Sequence, residues 1–122
     1  RFNGDSGANY YGDQMTTSAA TVSGQESVGG TSARLSGITA ATANAAYAGI
    51  VTVMIPNYAG TTFHKTTIAR AARKDANSSG NLRSANVGGH WRNTAAIVAI
   101  RIYPSSGNFA IGSQATLYGL SQ

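Results

Sequence analysis

Two stretches alternate side chains with period two, the spacing that sends successive residues to opposite faces of an extended chain. In "GIVTVMIP" (49–56), Val51, Val53 and Ile55 share one face while Ile50, Thr52 and Met54 share the other. In "AAIVAIRIYP" (95–104), Val98, Ile100 and Ile102 alternate with Ile97, Ala99, Arg101 and Tyr103. Each run ends on a proline, which has no N–H to give a ladder, so pairing stops at Pro56 and Pro104. These are the strongest strand signals in the chain. Weaker alternation predicts strands over 9–15, 20–27, 31–38, 61–73, 82–92 and 114–120. Between them "GDSG", "VGGT", "NYAG", "DANSSG" and "PSSGN" supply the positive-φ and Asx-turn positions that reversals need.

The expected fold class is therefore all-β: a jelly-roll-like β-sandwich of about eight short antiparallel strands, one domain over 1–122. "ITAATANAAYAG" (38–49) has the alanine content for a helical turn but no apolar stripe at 3.6-residue spacing, and it reads as loop. "IPNYAGTTFHK" (55–65) reads as a corner. Ile55 closes a core strand, Asn57 to Gly60 make the turn, Phe63 returns to the core and His64 alternates outward. The chain opens inside an extended stretch, "RFN", which predicts either the carboxy-terminal part of something longer or a mature product after processing.

Composition narrows the chemistry. With no cysteine there are no disulfides, thiolate zinc sites or cysteine nucleophiles. Charged residues make up 11% of the chain, against about a quarter in ordinary domains. Hydroxyls and amides must keep the surface wet instead, which suits a large assembly or an extracellular setting. No apolar run reaches the roughly 20 residues of a membrane span, and the first ten residues lack a signal peptide's basic and apolar regions. Nine Lys and Arg against four Asp and Glu give a charge of +5. Such an excess draws nucleic acid, anionic membranes or acidic glycans. Only "RAARK" (70–74) clusters, and alternation divides the cations of 61–73 between two faces. That is no platform for single-stranded nucleic acid.

The reactive groups do not converge. The acids are Asp5, Asp13, Glu26 and Asp75, and the histidines are His64 and His90. Asp5, Asp13 and Glu26 lie in or beside Gly-rich turns, where Asp most often caps its own backbone. No G-x-S-x-G elbow supports a serine triad, so no catalytic residue is assigned and the chain reads as a non-enzyme. Neither histidine has a partner at zinc-site spacing. Asn3, Asp5, Asn9 and Asp13 in "NGDSGANYYGD" are oxygen donors suited to calcium, but the bidentate Glu of an EF-hand is missing and the stretch reads as an Asx-turn loop. No metal or cofactor is assigned. The "NSS" triplet at 77–79 carries no weight as a glycosylation signal. Aromatic rings are the remaining candidates, because they offer apolar area to sugar faces. Tyr58 lies in a turn and Trp91 follows "GGH"; Tyr103 and Tyr118 fit strand packing.

Four ordered stretches, "RFNGDSGANY", "IPNYAGTTFHK", "WRNTAAI" with its following strand, and "ATLYGL", resemble a group of tailed-phage virion proteins, the tail-fibre and minor tail proteins. The resemblance runs from Arg1 to Leu120. It implies a carboxy-terminal β domain on the virion surface, a homotrimer among other virion proteins, that contacts host-surface glycan without inserting into a membrane. On that footing Tyr58, His64 and Trp91 are the candidate receptor contacts. In that group strands precede the "RFNGD" stretch, whereas this sequence starts without them, and one sheet would then be completed by a neighbouring chain or by residues cut away. A head decoration, collar or tube subunit with a purely structural role is the first alternative. A carbohydrate-binding module outside any virion is the second.

Overall fold

The computed structural model describes residues 1–38, 47–74 and 82–119. Five strands follow in chain order: β1 (Tyr10–Ser18), β2 (Thr21–Gly30), β3 (Gly49–Met54), β4 (Lys65–Lys74) and β5 (Leu82–Trp91). All pair antiparallel in one open sheet of order β2-β1-β5-β4-β3. Most of the expected loop over 38–49, the "DANSSG" turn with the "NSS" triplet, and Leu120 lie outside the described residues.

β4 shows why this sequence forms a half-covered sheet. Lys65, Thr67, Ala69 and Ala71 are buried, whereas Thr66, Ile68 and Arg70 are exposed. The same parity holds on β5, where Ala85, Val87 and Trp91 face inward. The covered face carries two apolar clusters. Phe2, Tyr10, Trp91 and Ile97 form one, with Ala33 and Ile55 packed against it. Ala69, Ala71, Ala85 and Val87 form the other, flanked by Leu35, Val51 and Val53. Residues 31–38 thus cross the sheet from one cluster to the other. Alanines at 69, 71 and 85 let that segment come close. At Gly37, whose φ is 85°, an added methyl would collide with the Cβ of Ala71, so only glycine fits there.

The aromatic cluster is pinned by one carboxylate. Trp91 stacks on Tyr10 with ring centroids 6.3 Å apart and meets Phe2 at 5.5 Å. Its indole Nε1 donates to Asp5 Oδ2 at 2.7 Å, and the Gly7 amide donates to Asp5 Oδ1 at 2.8 Å. Asn9 Nδ2 donates to Oδ2 as well. The indole bond first, then the Gly7 and Asn9 bonds, hold the Asp5 carboxyl below its ordinary value. Residues 3–9 are therefore a turn-rich loop in which Asp5 and Asn9 serve the fold, whereas Tyr10–Asp13 already belong to β1 and Asp13 is a strand residue. Asn3 is likewise taken up: its Oδ1 accepts from the amides of Val98 and Ala99.

The structure corrects several expectations. The covered face is roofed by 1–9, 31–38 and 92–100 as loops and extended segments, and the described residues contain one sheet in place of the two of a sandwich. Residues 31–38 and 114–119 form no ladder. The run 95–104, among the strongest signals, pairs only through the single bridge Phe2↔Ile100, flanked by backbone bonds of Asn3 and Arg101. Ile97 is buried and Val98 is 86% exposed, but from Ala99 to Ile102 every residue is exposed, so the expected alternation does not continue. A β-branched run dictates extended backbone; it does not dictate a partner strand. Phe63 does not return to the core and is 68% exposed.

Candidate functional site

The corner after β3 is built as its sequence suggests. β3 ends at Met54, Pro56 opens the turn, and Asn57 adopts φ 51° in the left-handed region that Asn tolerates. The Gly60 amide closes back on the Asn57 carbonyl at 3.2 Å. What fixes the corner is Lys65, which is 0% exposed. Its Nζ donates to the carbonyls of Gly60 at 2.6 Å, Phe63 at 3.0 Å and Thr94 at 3.1 Å. All three ammonium protons are thereby used, the condition on which a buried charge is tolerated. The Ile97 amide adds a bond to the Tyr58 carbonyl.

From this anchored corner a row of rings runs over the open face of the sheet. His64 lies 5.2 Å from His90, and His90 lies 5.9 Å from Tyr11, centroid to centroid. The Arg92 guanidinium sits 5.6 Å from the Tyr11 ring, within cation–π range. Register makes the row, because β1 sets Tyr11 opposite His90 and β4 sets Thr66 opposite His90. Such a row offers flat apolar faces, hydrogen-bonding edges and a cation, the combination that stacks on sugar rings.

Of the three residues singled out from sequence, the structure keeps two on the surface. Tyr58 and His64 are exposed beside the corner. Trp91 is 1% exposed. It faces the core because its parity on β5 matches Val87 and Ala85, so it offers a ligand nothing, and its neighbour His90 holds the surface position. Tyr11, His90 and Arg92 were missed, since only strand register brings them together. Tyr103 lies under two arginines, with the Arg1 and Arg101 guanidinium carbons 5.3 and 5.6 Å from its ring.

Burial, then the charges of His64 and Arg92, push the His90 imidazole below its ordinary value of 6.5. The folded chain therefore takes up this proton less readily than the unfolded one. Stability contributed by neutral His90 is present above about pH 6.5 and declines as pH falls through the lowered folded value. His64→Gln is expected to bring the His90 titration back toward 6.5, read from its ring proton shifts by NMR. An unchanged titration would show that the two rings are uncoupled.

Comparisons with protein-family models, curated proteins and solved structures found no match.

Proposed function

We propose that this chain is a non-enzymatic virion protein of a tailed phage, a tail-fibre or tail-tip domain that trimerises and touches the host surface. One observation carries the reading. Between residues 98 and 118, Val98, Ile100, Ile102, Ile111, Leu117 and Tyr118 are exposed, and no sheet among the described residues covers them. Leu117 is 83% exposed and Ile111 fully so. Apolar area of this extent marks an interaction surface.

The open face adds to it, for Met15, Val22, Ile50, Met54 and Ile68 are also exposed there. Neighbouring copies laying their 98–118 stretches on that face would supply the second layer that a sandwich needs. Three copies is the number the fibre resemblance implies. A low charge density and small polar side chains suit a subunit buried among its own kind. The ring row from Arg92 to His64, with Tyr58 nearby, then lies at the end of the assembly available to a host glycan.

The test joins assembly to adsorption. Wild-type protein is expected to show three times its chain mass by light scattering. Ile111→Ser with Leu117→Ser is expected to yield a monomer that keeps its strand signature in circular dichroism. Added to host cells beforehand, the wild-type protein should reduce phage adsorption, and Tyr58→Ala with His64→Ala should weaken that effect. A monomeric wild type overturns the assembly. A trimer whose presence leaves adsorption untouched points to the structural alternatives of head decoration, collar or tube.

A further inference from the structure

The chain contains two histidines and no cysteine, and His64 and His90 lie so far apart in the sequence that nothing in the linear pattern pairs them. The fold sets them side by side. β4 runs antiparallel to β5 with Thr66 opposite His90, and His64, two residues before Thr66, is exposed on the open side where Lys65 is buried beneath. The two ring centroids stand 5.2 Å apart with their planes tilted by 51°.

That spacing is the one a shared tetrahedral ion requires. An imidazole nitrogen binds zinc at about 2.0–2.1 Å, which puts the ring centre roughly 3.2 Å from the ion, and two such rings at the tetrahedral angle have centres about 5.2 Å apart. The right angle of an octahedral ion would bring them to about 4.5 Å. Stacked parallel rings could not share an ion, because their in-plane lone pairs run side by side; the tilt lets them converge. His90 is half-buried and held between Tyr11 and His64, whereas exposed His64 is free to turn its nitrogen toward it. Among the described residues neither imidazole is committed to a hydrogen bond. The charges of this face are balanced as well. Arg92 over Tyr11 and Arg70 on β4 are offset by Asp13 and Glu26, which stand opposite each other on β1 and β2.

We propose that His64 and His90 chelate one divalent transition-metal ion of the zinc, nickel and copper class, which favours imidazole nitrogen where magnesium and calcium favour oxygen. Among the described residues no third His, Asp or Glu completes the set, so two coordination positions stay with water and the ion exchanges readily. Its effect on the fold is specific. The ion ties the 57–64 corner to β5 from the open side, as Lys65 ties that corner to the segment after β5 from the covered side. The pair stands whether or not the chain belongs to a virion.

The test is calorimetric titration of the full chain, free of any histidine tag, at about pH 7.5, where imidazole is mostly neutral. Zinc and nickel are each expected to bind one ion per chain, copper more tightly than either, and magnesium not at all. His64→Gln and His90→Gln should each weaken zinc binding by about tenfold or more, because a chelate is lost when either arm goes. Two independent single-histidine sites would instead leave each variant with half the bound ion at unchanged affinity, and that result overturns the proposal. Zinc at about one hundred times its dissociation constant should raise the melting temperature of the wild type and of neither variant. Since His64 is exposed, His64→Gln should melt like the wild type without metal, which separates ligand loss from misfolding. By NMR, substoichiometric copper should broaden the ring protons of His64, His90 and Tyr11 while Arg83, at the other end of β5, stays sharp. Absence of saturable zinc or nickel binding, or broadening that begins elsewhere, also overturns it.

Discussion

Trp91→Ala will lower the melting temperature by about 15 °C, corresponding to a loss of about 4 kcal/mol. The indole is the largest side chain in the aromatic cluster, and Phe2, Tyr10 and Ile97 close around it. A sheet roofed by loops has no second layer to collapse into the space, so the cavity persists. Trp91→Phe separates packing from the polar bond. It keeps a ring but removes the Nε1 donor to Asp5, and a smaller loss of about 1–2 kcal/mol is expected. It should also change the acid limb. With its folded value lowered, Asp5 contributes stability that is present above its unfolded value near 4 and is lost as pH falls through the folded one. Removing the indole, the main cause, brings the carboxyl back toward its ordinary value. The Phe variant should thus be weaker at neutral pH yet lose less on acidification. Thermal melts from pH 7 to pH 2 decide it, and parallel acid limbs for the two proteins would show that the bond does not hold Asp5 ionised.

Lys65→Met will cost about 3 kcal/mol, although it replaces a buried charge with a side chain of similar length. Removing the ammonium leaves the carbonyls of Gly60, Phe63 and Thr94 without their common donor. These join the corner 57–64 to the segment after β5, so the loss is local before it is global. Amide exchange should accelerate at 57–64 and at Ile97, whose N–H meets Tyr58, before it changes in β1 and β2. A melt within about 0.5 kcal/mol of wild type would mean that water takes over the carbonyls and that the lysine is not what fixes the corner. On the function proposed above, the same variant should also weaken competition for host cells, because Tyr58 and His64 stand on this corner.

What was legible in the sequence is the set of extended segments and, within most of them, the facing of each residue. Lys65 shared a parity with Ala69 and Ala71 in the linear pattern, so its burial was readable by taking that alternation literally despite the charge. The roles of Asn57 and Gly60 were readable too, because turn chemistry is local. Pairing was not. Val98, Ile100 and Ile102 look like core, yet their backbone neighbours are residues 1–3 and all three stay exposed among the described residues. The row of Tyr11, His90 and His64 joins three separated segments, and no spacing within any one of them signals it. "RAARK" looked like a single basic cluster, but β4 turns Arg70 toward the open face and Arg73, which donates to the Ile38 carbonyl, the other way.

The strand order has a consequence for how the chain comes to exist. β1 with β2 and β3 with β4 are hairpins of neighbouring segments, each able to close as soon as it leaves the ribosome. β5 lies between them in space but follows both in synthesis. Until residue 91 emerges, the two ribbons have nothing to join them and the indole that seats the core is absent. The five-stranded sheet therefore cannot exist until β5 has been synthesised, and a ribosome stalled earlier would hold two sticky ribbons in place of a folded sheet.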